Sequence, residues 1–308
     1  MGAMPELILH QYGASPFSEK VRLAFGRKRL AWRSVEQPTI LPKPELVPLT
    51  GGYRRIPVLQ IGADVFCDSQ CILRELERRH PEPPLFGRDE ATHMAFAAWS
   101  DRVLFQSVVG IVFGRIGDAV PKAFLDDRSK LMGRSFDVAQ MKAAVPVLRD
   151  ALRAQLGWLE AQLGDGRPFL LGGEPGLADF STFHPLWFLQ RFHPPSAGEL
   201  AHTPAVSAWA GRVAAIGHGD VEPMEPREAL AVARAARPVT APRDDPGDPN
   251  GRKPGDRVAV VPDDYGRDPV EGELVASSAQ EIAIRREDPE LGELVVHFPR
   301  AGFLVLPR

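Results

Sequence analysis

The sequence predicts an α/β domain, then an all-α bundle domain, then a small all-β, barrel-like domain. Three observations carry this reading. Short apolar runs alternate with amphipathic stretches over residues 1–84, apolar positions recur at helical spacing through 88–236, and after a proline-rich linker at 237–252 the period becomes two across 253–308. The 308 residues, 44% of them hydrophobic, suffice for two or three cores at roughly 100–200 residues per domain.

In the first domain Leu7 to His10 reads as a strand, Pro16 to Lys28 as a helix and Ala31 to Val35 as a second strand. Pro38, Pro42, Pro44 and Pro48 then impose an irregular loop. Val58 to Ile61 and Val65 to Cys67 flank Gly62-Ala63-Asp64 as a hairpin, and a helix from Gln70 to Arg79 closes the unit. Pro81-Glu82-Pro83-Pro84 cannot continue that helix and marks the boundary.

The middle domain contains a helix from Met94 to Phe113 that is apolar on all sides but a stripe of Ser100, Asp101, Arg102 and Gln106. That pattern predicts a largely buried helix. A second runs from Val138 to Leu163, and Gly176-Leu177-Ala178-Asp179-Phe180 begins a third. Beyond the linker, Arg257 to Val261, Gly272 to Val275, Ile282 to Arg286, Glu293 to Phe298 and Phe303 to Leu306 alternate apolar and polar residues, the spacing of a small barrel or sandwich.

Composition narrows the function. A net charge of −3 provides no field to hold polyanions, and from Asn250 onward acids outnumber bases 11 to 8, so neither nucleic acid nor an acidic membrane surface is an expected partner. Two cysteines, Cys67 and Cys71, predict a reducing compartment and buried, inert thiols. No apolar run reaches the ~20 residues of a membrane span, no signal segment precedes Leu7, and Met4 is a second candidate start after Met1-Gly2-Ala3. The expected location is cytoplasmic. No histidine pair has metal-ligand spacing, so no metal is expected, and no phosphate-binding glycine loop occurs.

The chemistry concentrates in three short motifs. Ala14-Ser15-Pro16-Phe17-Ser18 places a hydroxyl immediately before a helix-opening proline, where free N–H groups and the macrodipole favour an anion. Arg55-Ile56-Pro57-Val58 leads a strand with proline, and Asp68-Ser69 opens a helix with an acidic residue and a hydroxyl. Read alone, Ser15 and Asp68 are helix caps. In this order and spacing the three motifs resemble the glutathione-binding domain of glutathione transferases.

The resemblance covers about the first 85 residues well, the next ~150 loosely, and nothing past ~250. It implies a thioredoxin-like first domain, a helical second domain, glutathione as co-substrate and a homodimer. Ser15 is implied as the group that stabilises the glutathione thiolate, with Ser18, expected to bond backbone, as the alternative hydroxyl. Because Ser stands where some members carry Cys, thiol exchange through a mixed disulfide is closed to it. Pro57 is implied to be cis, presenting the backbone of Ile56 to the cysteinyl part, while Asp68 and Ser69 receive the γ-glutamyl end. Arg55, Arg54 and Lys43 are the candidates for the glycyl carboxylate.

Tyr12, Phe17, Phe105 and Val109 are candidates for an apolar second-substrate pocket, and equally for core packing. Lowering a thiol from pKa ~8.5 by two units needs roughly 3 kcal/mol of anion stabilisation, within reach of a hydroxyl and a helix N-terminus together. The expected function is therefore a glutathione transferase-like enzyme attacking a hydrophobic electrophile. The alternatives are a glutathione-dependent lyase, dehalogenase or peroxidase, or a non-catalytic binding or scaffold protein with the β domain as its working surface.

Overall fold

The computed structural model describes residues 5–192 and 197–308, so the candidate start at Met4 lies outside the described residues. β1 (Ile8–Gln11) and β2 (Ala31–Glu36) are parallel, joined by α1 (Pro16–Arg27). After α2 (Val47–Thr50), β3 (Val58–Ile61) runs antiparallel to β1 and β4 (Asp64–Cys67) antiparallel to β3; α3 (Ser69–Arg79) follows. This is the expected thioredoxin-like unit. β1, β3 and β4 are buried along their whole length, as strands covered on both faces must be.

The helical domain comprises α4 (Glu90–Trp99), a π-helical turn at Ser100–Leu104, α5 (Phe105–Ile116), α6 (Lys122–Met132), α7 (Val138–Leu163), α8 (Leu177–Phe192), α9 (Ala197–Leu200) and α10 (Pro204–Ala214). Glycine lets α5 and α7 approach closely: a Cβ on Gly114 would lie 2.8 Å from the Met141 carbonyl oxygen. Glu90–Ala119 forms one continuous helical stretch, long and apolar enough by length and composition to cross a membrane, which corrects the expectation that no such run exists. Its inner side packs on α7 and α8.

The polar stripe of this stretch divides between inside and outside, Arg102 and Gln106 being exposed. Ser100 is fully buried, its hydroxyl 2.9 Å from that of Thr182, and Asp101, its side chain still partly exposed, pairs with Lys20 of α1. Periodicity assigns polar residues to solvent; here the π turn and a buried cation on α1 claim two of them.

At the start of α8 the Asp179 carboxylate accepts from Gly176 N at 3.0 Å, from Leu170 N at 2.8 Å and from Trp209 Nε1 at 2.7 Å. Gly176 precedes α8 in place of a hydroxyl cap, and packing explains it: a Cβ there would lie 2.7 Å from the Leu85 carbonyl oxygen and 2.6 Å from the His93 ring. Gly176→Ser is therefore expected to destabilise by about 1–3 kcal/mol despite its better capping propensity, measured by urea unfolding.

Two later segments return to the first domain. β5 (Asp220–Pro223) pairs in parallel with β2, and α11 (Pro226–Ala235) packs Ala229 against Ile8 and Val35. The last five strands are β6 (Arg257–Pro262), β7 (Val270–Ser277), β8 (Glu281–Asp288), β9 (Gly292–Pro299) and β10 (Phe303–Pro307). They form an antiparallel, barrel-like unit in which β10 returns to β6, with an irregularity in β7 between Leu274 and Ala276.

This unit is continuous with the thioredoxin-like sheet. β9 pairs in parallel with β4, giving ten strands in the order β10-β6-β7-β8-β9-β4-β3-β1-β2-β5. Its inner face shares one hydrophobic core with Leu46, Leu49, Tyr53, Val58, Val65 and Ala233. The proline-rich linker has no long element, as expected, but is tied down: Val239 N donates to Asp64 and Arg243 N to the Val275 carbonyl.

Candidate functional site

β1 runs into a turn at Tyr12–Ala14 that delivers Ser15 to the first position before α1. Ser15 is extended (φ −77°, ψ 118°), Pro16 opens the helix, and the Ser15 hydroxyl accepts from Ser18 N at 3.2 Å. Only 2% of Ser15 is exposed. The Ser18 hydroxyl, expected to bond backbone, is instead buried without a hydrogen-bond partner among the described residues. The Tyr12 phenol lies close to both Ser15 and Arg128, and burial pushes its pKa up against the pull of those neighbours.

Beside Tyr12 stands a cluster of cations short of anions. Arg54 donates through one nitrogen to both Asp127 oxygens at 2.5 Å, and Arg128 lies 3.3 Å from the same carboxylate. Lys43, 4% exposed, has its ammonium 5.9 Å from the Tyr12 ring centre. Burial, then Arg128 and Arg54, push the Lys43 amine down to about 8. Three cations thus surround one carboxylate, a surplus that suits a further anion.

The Ile56–Pro57 peptide is cis. Asp68 caps α3, its Oδ1 accepting from Gln70 N at 2.8 Å, and holds φ at +75°, a conformation that costs a non-glycine residue of order 1–3 kcal/mol. Burial pushes its carboxyl up, opposed by the Gln70 N–H, Lys20 and Arg55. Ser69 is buried beside it as the first residue of α3.

Sequence reasoning missed Lys20 and its partners. Lys20, 1% exposed on α1, meets Asp101 at 2.7 Å, and Asp101 also receives His184 Nε2 at 2.9 Å. Burial pushes Asp101 up, but Lys20 and His184 outweigh it and hold the carboxyl below its ordinary value. The signal was present as Asp101 in the polar stripe of an otherwise apolar helix. Next to this pair Phe17 packs edge-on to Phe105 at 4.9 Å and tilts on His184 at 4.7 Å. Val109 packs one turn along α5 against the main core, and Tyr12 turns toward the cations.

Arg55, the residue before Ile56, is taken by the C-terminal unit. The β6–β7 loop places Asp264 Oδ1 2.5 Å from its guanidinium and lays the Tyr265 ring on it at 3.9 Å. The same loop pairs Asp263 with Arg102 at 2.8 Å and donates Gly266 N to the Leu131 carbonyl at 2.7 Å. Tyr265 is thereby held within electrostatic reach of Tyr12 and Asp68, and burial pushes its phenol up. In sequence Pro262-Asp263-Asp264-Tyr265-Gly266 is only a turn.

Cys67 and Cys71 are free and buried, and burial pushes both thiols well up. No group of three or more metal-ligating side chains occurs among the described residues.

Comparison with known proteins agrees with this geometry. The glutathione S-transferase N-terminal domain family matches residues 9–84 and the C-terminal domain family residues 123–221. A GST-like protein from Pseudomonas syringae is 40% identical, covering 99% of this chain and 100% of its own, with a TM-score of 0.79. FtsZ-localized protein A from Caulobacter vibrioides is 30% identical over 183 residues, 58% of this chain and 74% of that protein. The solved structure of FzlA from C. crescentus superposes with a TM-score of 0.54 at 27% identity over 79% of this chain and 94% of its own. With a thioredoxin-like domain, a helical domain and family matches to both, the chain belongs to the glutathione S-transferase family and carries a C-terminal β-sheet domain beyond that plan.

Proposed function

We propose that this protein is a binding member of the transferase family, in which a glutathione-type cleft is retained but covered by the chain's own β unit, and whose working partner is another protein. The observation that carries this is the β6–β7 loop: Asp264 and Tyr265 occupy Arg55, and Asp263 anchors the loop to Arg102 in the π-helical turn of the helical domain. An enzyme turning over a bulky electrophile needs that side open. A relative named for localisation with FtsZ supports a protein partner, FtsZ being the candidate to test first.

A second reading, glutathione-dependent transfer to a hydrophobic electrophile, draws on the other face of the same site. Ser15 at the start of α1, the unpartnered Ser18 hydroxyl and the cation surplus at Lys43 suit a thiolate and a carboxylate. In that reading Ser15 stabilises the thiolate, Ile56, Pro57, Asp68 and Ser69 hold the peptide, and Phe17 and Phe105 line the electrophile's side.

Two assays on the full chain separate the readings. Conjugation of glutathione to 1-chloro-2,4-dinitrobenzene is expected to stay within twofold of the uncatalysed rate, while the protein co-sediments with FtsZ polymers. Conjugation a hundredfold or more above background that Ser15→Ala abolishes, with no retention on FtsZ, would establish the enzyme instead.

A further inference from the structure

The seam between β4 and β9 contains a charge cluster that no part of the cleft uses. His297 on β9 is 3% exposed and stacks on Phe66 of β4 at 4.1 Å. Its Nδ1 lies 2.7 Å from Glu281 Oε1 on β8, and its Nε2 lies 3.1 Å from Asp64 Oδ1 on β4. Asp64, 1% exposed, also accepts from the Thr240 hydroxyl at 2.7 Å and from Val239 N at 2.8 Å, both on the linker. Glu281 faces Arg243 of the linker at 3.6 Å and feels Arg78 of α3. The cluster therefore joins the first domain, the linker and the β unit at one point.

Both ring nitrogens face carboxylate oxygens. A neutral imidazole carries one N–H, so one of its nitrogens would present a bare lone pair to a carboxylate, either the buried Asp64 or the partly exposed Glu281. The Thr240 hydroxyl also lies 3.3 Å from Nε2, but its single proton goes to the nearer Asp64 Oδ1 at 2.7 Å, so only the imidazolium donates to both carboxylates. We propose that His297 is held as an imidazolium and acts as the pin that fastens the β unit to the thioredoxin-like sheet, so that the seam loosens as pH rises above neutrality. The proposal rests on the seam alone and holds whichever reading of the cleft is correct.

The sign follows from the partners. Burial would push the His297 ring down, but Asp64 and Glu281 outweigh it and hold it above its ordinary 6.5. Its contribution is thus complete below pH 6.5 and lost as pH climbs through the raised value. Asp64 and Glu281, resisted by burial but lowered by His297, contribute above their ordinary 3.8 and 4.5 and lose that contribution as pH falls through their lowered values. The pin is strongest between those limits, in mildly acid solution.

Imidazole ¹⁵N shifts of the full chain at pH 7 test the charge directly. Both His297 nitrogens are expected in the protonated range, titrating above 6.5; one neutral tautomer at pH 7 overturns the proposal. The seam is read by hydrogen exchange of the Val295 amide, which donates to the Ala63 carbonyl. Beyond the base-catalysed chemical rate, its exchange is expected to rise up to tenfold per pH unit above neutrality, the dependence that release of one proton imposes. In His297→Gln this extra rise should vanish; should that variant fail to fold, Glu281→Gln is expected to move the ring's titration down toward 6.5. Protection of Val295 that is independent of pH from 6 to 9 in the wild-type chain would also refute the pin.

Discussion

Asp179→Ala is expected to cost about 3–5 kcal/mol of stability, at the upper end of what single substitutions do. The carboxylate is fully buried and accepts from two backbone N–H groups and the Trp209 indole. Removing it strands three donors away from water, at roughly 1–3 kcal/mol each before relaxation. For a chain of this length that corresponds to a fall in melting temperature of roughly 10 °C. Asp179→Asn, which keeps one acceptor oxygen, should fall by about half as much. Calorimetric melting of both variants checks the ordering; equal melting temperatures for wild type and alanine would show that the donors find other partners.

Opening the cleft should produce the largest change in binding. Asp263→Asn and Asp264→Asn with Tyr265→Ala remove two ion pairs and one ring stacked on a guanidinium. The pairs are about a third or more exposed on their acidic side, so each is worth only ~0.2–1 kcal/mol, while the stacked ring adds ~0.5–2 kcal/mol. Their sum, about 1–4 kcal/mol, predicts that glutathione binds the triple variant at least about fivefold more tightly than the parent, because the dissociation constant is divided by the open fraction. Titration calorimetry reads this, and adding Asp68→Ala to the opened variant should reverse the gain. Unchanged affinity would mean that the loop does not compete with glutathione.

The first domain was legible because its signals are local. A proline after Ser15, a proline after Ile56 and an acidic cap at Asp68 each specify a helix or strand start from neighbouring residues alone. The five C-terminal strands were legible from period two. What could not be read was which edges they would meet. β5 is four exposed residues with no periodicity, and alternation in β9 fixes which side chains face inward without naming β4 as its neighbour.

At the site, Ser15, Ile56, Pro57, Asp68 and Ser69 could be named because each sits at an element's start. Lys20 and Asp101 could not, nor could the occupation of Arg55 by Asp264 be foreseen, since each depends on a residue more than eighty positions away. The same long-range dependence draws Ser100 and Asp101 of the stripe onto buried partners.

The β4–β9 pairing also has a consequence during synthesis. Asp64 meets Val295, so the edge of β4 is complete long before its partner strand exists. At ~5–20 residues per second the nascent thioredoxin-like unit waits roughly 10–50 s with Val65 and an unpaired strand edge uncovered. β2 waits nearly as long for β5, since Ala31 pairs with Asp220. Both lateral edges of the first domain are thus open on the ribosome and closed in the finished chain, which makes the newborn protein a natural client for factors that shield strand edges and makes truncation before β9 a route to aggregation rather than to a smaller folded protein.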